Sequence, residues 1–317
     1  MTIVVPQQEE PLIDCRAAAL AEDEGQEFEA HVGSLGGGFM IRRALPLRER
    51  RMIGAWCFLD HIGPFDIQPD GEKMYVRPHP HIGLQTVTWL FSGEVQHRDS
   101  LGYRLVIRPG ELNVMTSGNG ICHSEETPQE YTPQIHGVQL WVALPESRRH
   151  GESLFEHLES VPTCTIDTMQ ISVFAGTFDG ITSPASWFTP LVGLDVQIQE
   201  AGEHTLPMQP GFEHGFMVVD GEVEIAGHTM SAGRLLYIRP GRDAICLRTT
   251  GAARLVVIGG EPFESPILMW WNFVARTREE IVQAREDWQA VSDRFGRVPG
   301  WGDERIDAPV NLPAAPR

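Results

Sequence analysis

A chain of 317 residues exceeds one ordinary domain, and its 42% hydrophobic content is enough for sizeable cores, so two domains are the first expectation. The formal charge is −18, with 25 Lys and Arg against 43 Asp and Glu, which argues against direct nucleic-acid binding and against adhesion to an anionic membrane. The 32 glycines and 23 prolines favour many short strands over long helices. The cysteines, Cys15, Cys57, Cys122, Cys164 and Cys246, are odd in number and scattered, without a CxxC pair. That predicts a reducing compartment rather than a disulfide framework. No basic segment with an apolar run follows the first residue, and no stretch is apolar enough to span a bilayer, so the expected location is cytoplasmic.

In chain order, residues 1–33 read as an acidic N-terminal extension, flexible or loosely docked, with room for a short helix around Cys15 to Ala21. Residues 34–145 read as a first β domain. Thr86–Phe91, Tyr103–Ile107 and Val138–Leu144 are strand-like runs, each closed by Gly or Pro. Residues 146–165 are charged, carry helix formers and read as a connector. Residues 166–275 form a second β-rich block. Residues 276–317 read as a helix and a Pro-rich surface tail. Thr277 and Glu280 have capping-box spacing, and Ile281, Ala284, Trp288 and Val291 follow at helical intervals, with an end expected near Phe295-Gly296.

The two β blocks echo each other. Leu90-Phe-Ser-Gly93-Glu-Val95 in the first matches Val218-Val-Asp-Gly221-Glu-Val223 in the second, which predicts two copies of one barrel.

The chemistry concentrates in two short motifs. His79-Pro-His81 and His123-Ser-Glu125 each place two ligand-type side chains two residues apart, and such pairs share one face of a strand. Two such strands can turn three imidazoles and a carboxylate toward one ion and still leave coordination positions open, as catalytic sites require. The set suits Fe(II), Mn(II), Ni(II) or Cu(II), with Zn(II) also compatible; affinity order alone would favour copper, so availability in the cell has to decide, and Fe(II) is the favoured ion. Aligning the second block on its turn glycines puts Pro207, Gln209, Cys246 and Arg248 at the ligand positions, so no metal is expected there. His204, His214 and His228 read as surface or loop histidines.

Phe58-Leu-Asp-His-Ile-Gly-Pro-Phe65, His79-Pro-His81-Ile-Gly83, Gly118-Asn-Gly-Ile-Cys-His123-Ser-Glu125 and His136-Gly-Val-Gln-Leu-Trp141, with Arg42-Arg43-Ala-Leu-Pro46 before them, resemble the pirin family of the cupin superfamily. The resemblance spans roughly Gly36 to Trp271 and is loose in the second domain. It implies an all-β fold of two tandem antiparallel β-barrels, a bicupin, with a short C-terminal helix. It implies Fe(II) held by His79, His81, His123 and Glu125. Gln85 departs from the general cupin pattern, where a Glu ligand follows HxH.

The implied activity is a quercetin 2,3-dioxygenase-like opening of a flavonol or similar enol with O2. Glu125 is the expected catalytic base; Gln139 and His136 are candidates to support it, His136 equally a turn residue, and His97 and Asp99 read either as a hydrogen-bonded pair near the cavity mouth or as surface residues. The alternative is an iron-dependent, redox-sensing regulator that binds a transcription factor or metabolic enzyme without catalysis.

Overall fold

The structure is a computed structural model and describes residues 13–14, 25–34, 39–68, 70–71 and 73–311. The short helix expected around Cys15 lies outside these residues. Among the described residues, strands dominate and one α-helix, Arg278–Gln289, is present. Among the described residues no helix is long and apolar enough to cross a membrane.

Each β unit consists of two antiparallel sheets. In the first, a seven-stranded sheet runs in the order Leu154–Leu158, Leu112–Thr116, Leu84–Ser92, Gln134–Ala143, Trp56–Asp66, Met40–Leu45, His31–Ser34. Its partner sheet is Tyr75–His81, Ile121–Glu126, Val95–Asp99, Arg104–Ile107. The second unit repeats the plan. A large sheet is centred on Leu191–Ile198, Ala253–Gly260 and Glu213–Asp220, and a small one orders Gly202–Pro207, Ala244–Thr249, Glu222–Ile225, His228–Ser231. This is the double-sheet barrel architecture.

The large sheets meet back to back. Alternation along Leu84–Ser92 sends Val87 and Trp89 outward from the first barrel into a core shared with Phe174, Met217, Val256 and Ile258 of the second. Trp89 stacks on Phe174 at 5.5 Å, and its indole N–H donates to Asp195 Oδ2 at 3.0 Å. Gln85 points the same way: its amide donates to the Ser186 carbonyl at 2.9 Å. The residue at the usual cupin glutamate position is thereby engaged at the interface between the barrels.

Three segments differ from their sequence reading. Gln26–Glu29 and His31–Ser34 are strands, the first paired with Arg234–Ile238 of the second unit and the second with Met40–Leu45 of the first. This part of the N-terminal extension straps the barrels together. The connector holds no helix; Leu154–Leu158 joins the first unit's sheet and Thr163–Ile166 the second's. Backbone pairing with exposed edge strands outweighs the helix propensity of that stretch.

The C-terminal helix has the capping box, with the Thr277 side chain accepting from the Glu280 N–H. It ends at Gln289 rather than near Gly296, and Val291 is exposed, outside the buried stripe of Ile281, Ala284 and Trp288. The chain reverses at Val291, whose φ is 56°. The tail does not simply run over the surface: Phe295, Val298 and Trp301 pack with Cys122 on the outer face of the strand Ile121–Glu126.

Candidate metal centre

The strand Tyr75–His81 lies at the edge of the small sheet, where Pro78 and Pro80 cost few ladder hydrogen bonds. Its edge is covered by the tail, whose Ile306 N–H donates to the Pro78 carbonyl at 2.8 Å. The chain then turns at Gly83, φ +69°, where a Cβ would stand 2.1 Å from the Val274 carbonyl oxygen. Before the second ligand strand it turns at Gly118, φ +49°, where a Cβ would meet the Gly151 carbonyl oxygen at 2.2 Å. Only glycine fits either turn.

Antiparallel register sets His123 directly opposite His79, and Ile121 opposite His81. The result is one buried cluster of three imidazoles, His79, His81 and His123, whose ligand nitrogens all lie within 4.8 Å of one another. Nε2 of His81 is 3.0 Å from Nε2 of His123. Ser124 and Cys122 face outward, as alternation requires; Ser124 Oγ accepts from the Trp301 indole at 2.9 Å.

The donor set fits a divalent cation. His79 Nδ1 is 2.9 Å from the Arg77 carbonyl, and His81 Nδ1 is 3.2 Å from the Asn272 carbonyl. A carbonyl oxygen only accepts, so each Nδ1 carries the hydrogen and each Nε2 keeps its lone pair. Burial, reinforced by neighbouring imidazoles, favours the neutral form throughout. It pushes His79 down to about 4 and holds His81 and His123 well below the usual histidine range.

Glu125 is two residues beyond His123, across a register shift in the ladder, opposite Val76 on one side and His97 on the other. It stands next to the three-imidazole cluster in sequence but is not part of it. It is half-buried, and burial alone pushes its carboxyl up to about 7.

The other expected site residues divide. Gln139 accepts from the Thr88 hydroxyl at 2.9 Å and shares its strand face with Trp141. The Trp141 ring meets His81 edge-on at 5.3 Å and stacks on Phe58 at 4.0 Å. His136 is turned elsewhere: its Nε2 is 2.7 Å from Nε2 of His61, and Phe91 packs against it. The bulge between His136 and Gly137 takes it out of register with Gln139. His97 and Asp99 do pair, at 3.0 Å, but as buried groups behind His123 rather than at a mouth. The carbonyls of Arg77 and Asn272 and the stacked Trp141–Phe58 pair beside His81 have no counterpart in the sequence reading. A backbone carbonyl leaves no mark in sequence, and Asn272 is 191 residues from His81.

Register also corrects the alignment of the second barrel. Val95 and Val223 each stand two residues beyond their turn glycine. The cross-strand pair His97–Glu125 therefore corresponds to Ile225–Leu247. The positions matching His79, His81, His123 and Glu125 become Leu206, Met208, Ile245 and Leu247, one residue before those aligned on the turn glycines. All four belong to the apolar interior, whereas Arg248 faces outward between Glu203 and Glu224. His204 and His214 are buried strand residues, not surface ones; His228 is on a strand and pairs with Glu27 at 2.6 Å.

Two double-sheet barrels packed back to back, one with a cluster of inward-facing imidazoles, define a bicupin with a candidate metal centre in its first barrel. Family models agree: Pirin matches residues 38–142, and the Pirin C-terminal cupin domain matches residues 193–296. A Pseudomonas aeruginosa protein named "Putative quercetin 2,3-dioxygenase" is 41% identical over 285 residues, 90% of each chain. A pirin-like protein of Caulobacter vibrioides is 36% identical, covering 83% of this chain and 92% of its own. A crystal structure described as quercetin 2,3-dioxygenase from Acinetobacter baumannii superposes with a TM-score of 0.88 at 44% identity, covering 92% of this chain and 97% of that one. The chain belongs to the pirin family.

Proposed function

We propose that this protein is an Fe(II)-dependent dioxygenase that opens the ring of a flavonol such as quercetin with O2, the ion being held by His79, His81, His123 and Glu125. The observation that carries the reading is the convergence of three neutral imidazoles, two with Nε2 lone pairs set by backbone carbonyls. The names of the relatives at 41% and 44% identity support the substrate class. Bound there, the ion would supply Lewis acidity toward a substrate hydroxyl and redox chemistry toward O2.

The chain's own residues do the rest. The stacked Phe58–Trp141 pair gives the site an apolar aromatic flank beside His81. Glu125 takes the proton from the flavonol hydroxyl. A carboxylate is the type of base suited to a hydroxyl that the bound ion would acidify. Burial of the centre keeps bulk water from the ionised substrate.

The test is oxygen uptake with quercetin after anaerobic reconstitution with Fe(II), run beside Mn(II), Ni(II), Cu(II) and Zn(II). The Fe(II) form is expected to consume one O2 per quercetin. At matched iron occupancy, Glu125→Gln should lose roughly 10²- to 10⁴-fold in rate. An iron-replete protein that leaves quercetin unchanged in air would refute the proposal.

A further inference from the structure

Behind His123, on the strand Val95–Asp99, His97 and Asp99 are both buried. Asp99 Oδ1 accepts the backbone N–H groups of Leu101 at 2.9 Å and Tyr103 at 3.0 Å. Its other oxygen, Oδ2, lies 3.0 Å from Nε2 of His97. A carboxylate only accepts, so the hydrogen is on His97 Nε2. The His97 ring is clamped by stacking on Phe155, centroids 4.4 Å apart at 16°. A neutral imidazole with its hydrogen on Nε2 has a lone pair on Nδ1. That Nδ1 faces Nδ1 of His123 at 3.4 Å. The hydrogen bond between them then requires the hydrogen on His123 Nδ1. His123 Nε2 is left bare, aimed into the cluster 3.0 Å from Nε2 of His81.

We infer that Asp99 and His97 are positioning residues that fix the tautomer of His123, so that its Nε2 is available to a metal ion. His79 and His81 receive the same setting directly from carbonyl oxygens. His123 receives it from a carboxylate one imidazole further away. The inference rests on the three-imidazole cluster being a metal site, and it does not depend on which substrate is turned over.

The arrangement makes an unusual demand on mutants. In Asp99→Asn the amide oxygen can still accept from Leu101 and Tyr103, but the NH2 group now faces His97. Every hydrogen in the chain must then move one step: Nε2 of His97 accepts, its Nδ1 donates, and the hydrogen of His123 shifts to Nε2, where it blocks the ligand lone pair. His97→Phe keeps a ring stacked on Phe155 but breaks the chain, which leaves His123 free to adopt either tautomer.

The experiment measures Ni(II) affinity of the full chain by competition with a chromophoric chelator, alongside far-UV circular dichroism and thermal melting. Asp99→Asn is expected to weaken Ni(II) binding by about 10- to 100-fold, and His97→Phe by less. The double variant is expected to match His97→Phe alone, because the asparagine has lost its route to His123. A purely structural role would give additive losses instead.

Folded Asp99→Asn with wild-type affinity, or a double variant weakened by the sum of both losses, would overturn the inference. If Asp99→Asn does not fold, His97→Gln against His97→Phe decides. The glutamine oxygen can accept from His123 Nδ1–H, so its affinity should recover, and equal affinities would count against the chain. A wild-type protein that binds no Ni(II), Fe(II) or other divalent ion would overturn the metal reading beneath it, a result distinct from metal-binding wild type with indifferent variants.

Discussion

The two barrels share a strand plan and differ in what fills them. At matching cross-strand positions the first carries His79, His81, His123 and Glu125, and the second carries Leu206, Met208, Ile245 and Leu247. In the second, those four join Phe216, Val218, Val223 and Leu255 in one continuous apolar interior. In the first, apolar groups around the imidazoles break into smaller clusters, such as Met115, Ile121 and Phe155. Buried apolar surface stabilises a fold by about 25 cal/mol per Å². A buried imidazole contributes far less until its lone pair is engaged. The second barrel's interior is thus apolar throughout, whereas the first gives up part of its apolar interior to the candidate metal centre. Their shared core around Trp89 and Phe174 couples the two.

That contrast can be broken at its strongest point first. His81→Ala should abolish stoichiometric metal binding, seen by elemental analysis, while the melting transition of the metal-free protein stays near wild type. Global unfolding of this variant would mean that the first barrel depends on its histidines as the second depends on its leucines. Phe216→Ala, at a fully buried site in the second barrel, should cost about 3–5 kcal/mol in denaturant unfolding and leave metal stoichiometry at the folded plateau unchanged.

A smaller effect is read by pH. Glu125 in the folded protein holds its proton up to about 7, against an ordinary value of 4.5. Between those values the folded state binds more protons than the unfolded one, so this group lowers stability as pH rises. In metal-free protein, Glu125→Gln should coincide with wild type below about pH 4.5 and be the more stable above pH 7. The histidines act in the opposite direction. His79 is depressed from 6.5 to about 4, so the unfolded state takes up the proton first and stability falls as pH drops through that window. Denaturant titrations across pH, with chelator present, check both signs. Smallest of all, Arg248→Ala removes exposed ion pairs with Glu203 and Glu224 and should leave both the melting midpoint and metal binding unchanged.

Much of this was legible from residue order. The HxH pair and His123 needed only the alternation of strands to turn their imidazoles to one centre, whereas Glu125, beyond a register shift, is not part of that cluster. The capping box at Thr277 and the stripe Ile281, Ala284, Trp288 needed only helical periodicity. The duplication was visible in its turn glycines, because a left-handed turn admits little else: Gly93 and Gly221 have φ of +82° and +74°.

Strand register was not legible, and a slip of one residue exchanged Leu247 for Arg248, an inside position for an outside one. The partners of the imidazoles were hidden in part. Arg77 and Asn272 act through carbonyls that every residue has; the His97–Asp99 pair was legible, but not its place behind His123. Local sequence determines which face a side chain takes, because backbone geometry alternates over two residues. Which strand lies opposite, and which distant carbonyl closes on a ring nitrogen, follows only from how the sheets pack.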